Sequence, residues 1–405
     1  MTTQARTSIV GMGCVSALGL DVGSFWMALK AGKSGIGALR LPRYDNPFIR
    51  IAAQVPLFAP TDYFSPVQLL SMDPFAQYAI LAAREALRDS GLDPEALANP
   101  KTAVIIGSGA GGSLTLVDGA YKLYVEKRRL GPTIIPGFMP SGAASHVTMD
   151  LGIEGPAFVV SSACSSANHA IGLGHILLAS GVVDRVFAGG TDAVVHPASM
   201  AAWEGLRVLS ADACRPFSAG RSGIVLGEGA AVFVMERSLD ASRRKAKVYA
   251  NIAGFAMNAD AGDVLKPNRQ RMAQVMRQAI EAAGFAPHDI GYVNAQGSGT
   301  ILNDIVESEA IEDAFGAHAF QLAISATKSM HGHALGASCA LELVATVLAL
   351  RDQIVPPTAN WLGRDEKCRL DYVPNVARPL AFHTAISNSF AFGGLNAVLV
   401  VTQSA

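Results

Sequence analysis

The stretch "VVSSACSSANHAIG" (159–172) runs from a β-branched segment through small residues to Cys164 and then into an apolar helical pattern. A cysteine at such a junction sits at a helix N-terminus, where the dipole favours the thiolate and lowers the thiol pKa. That is a nucleophile's position, although most unpaired cysteines are small buried hydrophobes. A second cluster lies far along the chain, where "AISATKSMHGHALGAS" (324–339) gathers Lys328, His331 and His333 as a strand pattern turns into a helix. The other four cysteines, Cys14, Cys214, Cys339 and Cys368, lack the setting of Cys164 and read as structural.

Such groups need a buried scaffold, and the pattern supplies one. "SIVGMG" (8–13), "TAVIIGSG" (102–109), "AFVVSSA" (157–163), "RVFAGG" (185–190) and "AAVFVME" (230–236) read as strands, several apolar on both faces. Between them, "PFAQYAILAAREALRDSG" (74–91) and "SSANHAIGLGHILLASG" (165–181) read as helices. The second is apolar almost all round, which predicts a helix enclosed within a layered structure. Beyond about residue 250 the pattern restarts, with strands expected at 247–256, 290–296, 321–326, 384–390 and 396–402. Helices are expected near 271–283 and 304–315 and from about 334. The repeated order predicts two similar α/β halves that share an interface, 1–248 carrying the cysteine and 249–405 carrying His333 and Lys328.

Half of the 405 residues are apolar, enough for a sizeable core. Lys plus Arg (32) nearly cancels Asp plus Glu (33), which gives no support to nucleic-acid or polybasic membrane binding. The five cysteines are odd in number, scattered and without paired metal spacing, against a disulfide framework or a zinc site. No long apolar leader opens the chain, and no charge-free stretch reaches the ~20 residues that a spanning helix needs. A cytoplasmic protein with no metal and no membrane span is expected.

Five motifs in order resemble those of the β-ketoacyl-acyl carrier protein synthases. They are "SSACSSANHAIG", "CRPFSAGRSGIVLGEGAA" (214–231), "VNAQGSGTILND" (293–304), "TKSMHGHALGA" (327–337) and "SNSFAFGGLNA" (387–397). The opening at 8–36 resembles that family as well, so the likeness covers essentially the whole chain. It implies the thiolase fold, a five-layered αβαβα unit of two similar halves, normally dimeric. It also implies chemistry without a bound cofactor. The Cys164 thiolate takes an acyl chain from the phosphopantetheine of acyl carrier protein, malonyl-carrier protein loses CO2, and the enolate attacks the Cys164 thioester.

The same resemblance assigns roles to individual residues. The N–H groups of Cys164 and Phe392 form one oxyanion hole, with Phe390, Gly393 and Gly394 in its gate, and His333 helps to hold the second oxyanion. Lys328 and Glu342 organise charge around His333, the alternative being an ordinary buried ion pair. Ser298 and Thr300 contact the pantetheine arm, and Ala110 belongs to the acyl pocket. His331 has no role in that pattern and reads as a loop histidine.

The chain departs from the family at Asn294, Ala295, Gln296, Gly297 and Ser298, where Asn-Ala-His-Gly-Thr is usual, so Gln296 replaces an active-site histidine. Glutamine donates a neutral hydrogen bond but has no titratable proton near pH 7, so enolate stabilisation is expected to suffer more than substrate positioning. No basic residue precedes Met72 and Asp73 in "DYFSPVQLLSMDPFAQYA" (62–79), and "LSADA" (209–213) is acidic. The cations that the family offers an acidic carrier protein are missing there, leaving Arg207 and Lys127 to Arg129 as candidates. The expectation is a condensing enzyme of fatty-acid or type II polyketide synthesis, as a homodimer or a heterodimer with a second ketosynthase. The alternatives are a chain-length-factor-like partner of an active ketosynthase and a non-elongating acyltransferase.

Overall fold

Ten strands carry the fold in the computed structural model, which describes residues 6–41, 49–56 and 58–404. The first five are β1 (Thr7–Ser16), β2 (Thr102–Gly107), β3 (Ala157–Val160), β4 (Arg185–Ala193) and β5 (Glu228–Arg237). The second five are β6 (Ala250–Ala259), β7 (Tyr292–Asn294), β8 (Ala323–Ser325), β9 (Thr384–Ala391) and β10 (Leu395–Thr402). Each falls on a segment expected from the sequence.

The hydrogen-bonded order is β8-β7-β9-β10-β6-β1-β5-β4-β2-β3. In the first half β2 runs parallel to β3 and β4, while β4 with β5 and β5 with β1 are antiparallel. The second half repeats that scheme, with β7 parallel to β8 and β9, and β9 with β10 and β10 with β6 antiparallel. Where the halves meet, β1 pairs with β6 from Thr7 opposite Ile252 to Ile9 opposite Ala250.

The main helices are α1 (Pro74–Ser90), α2 (Gly142–Leu151), α3 (Ser166–Ala179), α4 (Arg269–Ala282), α5 (Ile301–Phe315) and α6 (Ser338–Asp352). α1 and α2 cover the outer face of the first sheet, and α4 with α5 covers the outer face of the second. α3 and α6 lie between the sheets. α3 touches β2 and β4 on one side and β6 and β10 on the other, and α6 spans from β9 to β5. The result is the αβαβα layering of the thiolase fold. α6 is buried from Ser338 to Leu350, which its all-round apolar sequence requires of a helix with no solvent face.

Local sequence sets the close packing of the outer layer. Asp73 caps α1 by accepting from the Phe75 N–H, Pro74 occupies the first turn, and Gly91 ends the helix at φ 63°. Gly11 and Gly13 let α1 lie directly on β1, since a Cβ at Gly13 would sit 2.0 Å from the Ala82 oxygen. β3 ends the ladder as an edge whose Ala157 and Phe158 are exposed. Among the described residues no helix is long and apolar enough to cross a membrane.

Candidate active site

Between β3 and α3 a single 3-10 turn, Ala163–Ser165, carries Cys164. Ala163 adopts φ 50°, a left-handed conformation costly for a residue with a Cβ, and so turns the chain sharply into α3. The Cys164 carbonyl accepts from Ser389 Oγ at 3.1 Å and Cys339 Sγ at 3.4 Å, so β9 and α6 of the second half fasten the turn. The side chain opens onto a cavity of about 320 Å³, also lined by Gln296, Ser298, Thr300, His333, Phe390, Phe392 and Gly394. Both halves therefore meet at the cysteine.

Burial pushes the Cys164 thiol up to about 12, against the pull of the Lys328 charge and of the Phe392 N–H that faces the sulfur. This corrects the lowered pKa expected from the helix terminus. A dipole contributes about 0.3–1 kcal/mol, less than one pKa unit. Desolvation of a fully buried group moves a pKa by up to ~3–5 units and prevails.

His333 is a donor of fixed sense. Its Nδ1 accepts from the Leu335 N–H at 3.1 Å and lies 2.9 Å from Ser338 Oγ. A backbone N–H only donates, so Nδ1 is unprotonated and the proton sits on Nε2. Burial and the Lys328 charge hold its pKa well below the ordinary value, so the ring is neutral.

Behind these groups lies a buried charge cluster. Lys328 and Glu342 are fully buried and paired, and Lys328 Nζ also donates to the main-chain oxygen of Gln296 at 2.7 Å. Glu307 accepts from the N–H groups of Gln296 and Gly297, each at 2.8 Å. Burial pushes the Glu307 carboxyl up to about 7, and burial likewise raises Glu342 against the pull of Lys328. Ser298 Oγ and Thr300 Oγ1 lie 2.9 Å apart on the cavity wall.

A glycine pair follows β9. Gly393 and Gly394 take φ 83° and 68°, and a Cβ on Gly394 would come within 2.4 Å of Asp260 Cβ. Only glycine fits there. Asp260 anchors the loop by donating its N–H to the Gly394 oxygen at 2.9 Å and accepting from Asn396 Nδ2 at 2.7 Å.

One expected placement changes. His331 is no loop histidine: it is fully buried in the turn Lys328–His331, its Nε2 is 3.0 Å from Thr327 Oγ1, and burial drives its pKa down to about 3. Ala110 packs in the apolar cluster of Cys164, Met200 and Leu335 and is not part of the 320 Å³ cavity wall. Lys127, Arg128, Arg129 and Arg207 are exposed, and Arg128 pairs with Glu126 at 3.4 Å.

Three residues went unread in the sequence. Asp192 is fully buried and accepts from Ser108 Oγ and from the N–H groups of Gly109, Ala110 and Gly336, tying the start of the first-half loop to that of the second. A lone carboxylate in the apolar run "RVFAGGTDAVV" was its signal. Glu307, one helical turn from Asp304, had the signal of two acids beside the glycine-rich motif. Trp203, which stacks on Phe392, had none.

The family model for the beta-ketoacyl synthase N-terminal domain matches residues 4–241, and that for the C-terminal domain matches residues 249–361. The chain is 42% identical over 400 residues to nodulation protein E of Rhizobium sp. (strain N33), covering 98% of this chain and 99% of that one. It is 39% identical over 410 residues to 3-oxoacyl-[acyl-carrier-protein] synthase 2 of Coxiella burnetii, covering 98% of each. Among solved structures, the ishigamide ketosynthase/chain length factor superposes with a TM-score of 0.95 at 32% identity over 100% of both chains.

Proposed function

The chain belongs to the β-ketoacyl synthase family, and on that premise we propose a decarboxylative Claisen condensation carried by Cys164, His333 and Gln296. It is a condensing acyltransferase of the kind used in fatty-acid and type II polyketide synthesis. Cys164 Sγ, as thiolate, attacks the acyl carbon of a carrier-protein thioester. The N–H groups of Cys164 and Phe392 receive the oxyanion, and as it collapses the C–S bond to pantetheine breaks. The pantetheine thiolate leaves and takes up the proton that the cysteine lost.

The malonyl thioester then sets its carbonyl oxygen against His333 Nε2 and Gln296 Nε2. The bond to the carboxylate breaks, CO2 departs, and the electron pair forms an enolate whose oxygen the two N–H donors hold. The enolate carbon attacks the Cys164 thioester, a C–C bond forms, and Cys164 Sγ leaves with the electrons of the C–S bond. Lys328, with Glu342, holds Gln296 in place. Phe390, Gly393 and Gly394 shape the gate, and Ser298 and Thr300 offer hydroxyls along the path of the pantetheine arm. No metal and no resident cofactor takes part, since phosphopantetheine arrives with the acyl carrier protein.

The observation that carries this reading is the convergence of Cys164, His333 and Gln296 on one cavity from opposite halves, which we divide at 248/249. Incubation of the purified chain with acyl- and malonyl-carrier protein, followed by mass spectrometry, tests it. A product two carbons longer is expected. Acylated Cys164 without elongation would favour the non-elongating acyltransferase.

A second reading, a partner subunit resembling a chain length factor, has one specific observation behind it. On the segment from which the family's docking cations are missing, Val67 and Leu70 stand 76% and 67% exposed. That face suits an apolar protein surface better than an acidic carrier protein. The open edge of β3 suits a second ketosynthase subunit, identical or different, since an exposed apolar edge invites pairing. With five free cysteines the chain fits the cytoplasm. A one-to-one complex more active than either chain alone, after co-expression with a ketosynthase encoded nearby, would support the partner reading.

A further inference from the structure

An amide side chain has two ends of similar shape and opposite hydrogen-bonding sense, so the role of Gln296 depends on which end meets the cavity. Lys328 Nζ lies 3.2 Å from one end of that amide, 2.7 Å from the main-chain oxygen of the same residue, and is paired with Glu342. An ammonium carries donors and no acceptor, so the amide atom facing it is the carbonyl oxygen Oε1. The main chain is pinned independently by Glu307, through the N–H groups of Gln296 and Gly297. Nε2 is then the remaining polar atom of a side chain that lines the Cys164 cavity.

We propose that Lys328 is a positioning residue that locks the Gln296 amide with its N–H groups toward the substrate. The malonyl thioester oxygen is thereby received by two neutral donors of fixed sense, Gln296 Nε2 and His333 Nε2. The inference rests on the condensation reading for the identity of the substrate. The two donors are built on one plan: the acceptor atom of each is occupied by a protein donor, Lys328 on Oε1 and the Leu335 N–H on Nδ1. Neither acceptor is left to take a proton from substrate. Decarboxylation needs no proton transfer, because the electron pair of the breaking C–C bond flows into the enolate as CO2 leaves.

The test compares full-length wild type, Gln296→Glu, Lys328→Met and Lys328→Gln, each checked for folding by thermal melting. Three quantities are measured: acylation of Cys164, CO2 release from malonyl-carrier protein, and equilibrium binding of a non-cleavable malonyl-pantetheine amide. Gln296→Glu is isosteric and still held by Lys328, but it turns an acceptor into the cavity. CO2 release should fall ~100-fold near neutral pH, the effect of losing one oxyanion donor, while acylation changes little. Analogue binding should weaken in parallel, and both should recover as the pH is lowered and the new carboxyl gains a proton to donate. A merely structural role gives no such recovery. Lys328→Met frees the amide to turn and should cost CO2 release ~10-fold, and Lys328→Gln, which keeps an N–H donor, should restore most of it.

Wild-type-like analogue binding by Gln296→Glu would overturn the proposal, as would unchanged CO2 release in a folded Lys328→Met. If neither lysine variant folds, the pH recovery of Gln296→Glu decides. A wild type that binds the analogue through Gln296 but releases no CO2 sinks the condensation reading and leaves the positioning role standing. A wild type that binds no analogue removes both.

Discussion

Trp203 stacks on Phe392, with ring centroids 6.0 Å apart and planes 23° from parallel. The contact joins the helix Pro197–Gly205 of the first half to the loop that sets the Phe392 N–H against the Cys164 sulfur. An aromatic pair of this kind is worth about 0.5–1.5 kcal/mol beyond its buried area. Trp203→Ala should therefore let the Phe392 donor stray and slow acylation of Cys164 by about tenfold, since catalytic geometry is sensitive to small displacements. Rapid-quench measurement of acyl-enzyme formation checks this. An unchanged rate would mean that the loop is held by Asp260 alone.

Cys164 should be the first cysteine alkylated by iodoacetamide, because it alone of the five lines the cavity while Cys14, Cys214, Cys339 and Cys368 are fully enclosed. The reaction should be slow at neutral pH. With the thiol pushed up to about 12, the thiolate fraction and hence the rate should climb ~10-fold per pH unit without a plateau up to the highest pH the fold tolerates. Peptide mapping with a pH series measures both. A plateau near neutrality would show that the dipole outweighs burial after all.

Glu228 offers a test of burial against stability. It is 9% exposed, accepts from the Val55 N–H at 3.0 Å, and burial raises its carboxyl from 4.5 to about 7. Its folded pKa lies above the unfolded value, so its stabilising contribution is complete below pH 4.5 and is lost as the pH rises to about 7. Relative to Glu228→Gln, wild type should lose up to about 3 kcal/mol over that interval and nothing further above it. Urea unfolding of both chains at several pH values reads the difference. A wild type that gained stability relative to Glu228→Gln as the pH rose would reverse the sign and refute the shift.

Phe158 stands on the open edge strand β3. If a second subunit pairs there, Phe158→Asp should put a charge into the interface and shift the assembly toward monomer in sedimentation, with the melting temperature of the monomer little changed. Wild type that sediments as a monomer at micromolar concentration would remove β3 as an interface.

The alternation of β-branched runs and helical patterns was enough to place all ten strands, because strands buried on both faces must be apolar throughout and short. It also declared α3 a central helix, since nothing but enclosure accommodates a helix without a polar face. α2, Gly142–Leu151, carries no comparable pattern and emerges only as a layer over β2 and β3. Cys164, Gln296, His333, Lys328 and Glu342 were legible as a set through ordered motifs, and the structure brings them together from the two halves.

What the sequence by itself determined is thus the layering and the cast of polar groups. Tertiary structure alone decided their states. The Cys164 thiol rises where a helix terminus should lower it, because desolvation depends on every layer around the residue and the dipole only on its own helix. His331 is buried, and Asp192 joins a loop of the first half to one of the second, because its hydrogen-bond partners lie up to 144 positions away in the chain. The sense of the Gln296 amide follows from Lys328, 32 residues on, whose donors reach it only after β7 and β8 pair side by side. Composition and spacing name a group, but the charge it carries and the direction it donates are set by what folding packs against it.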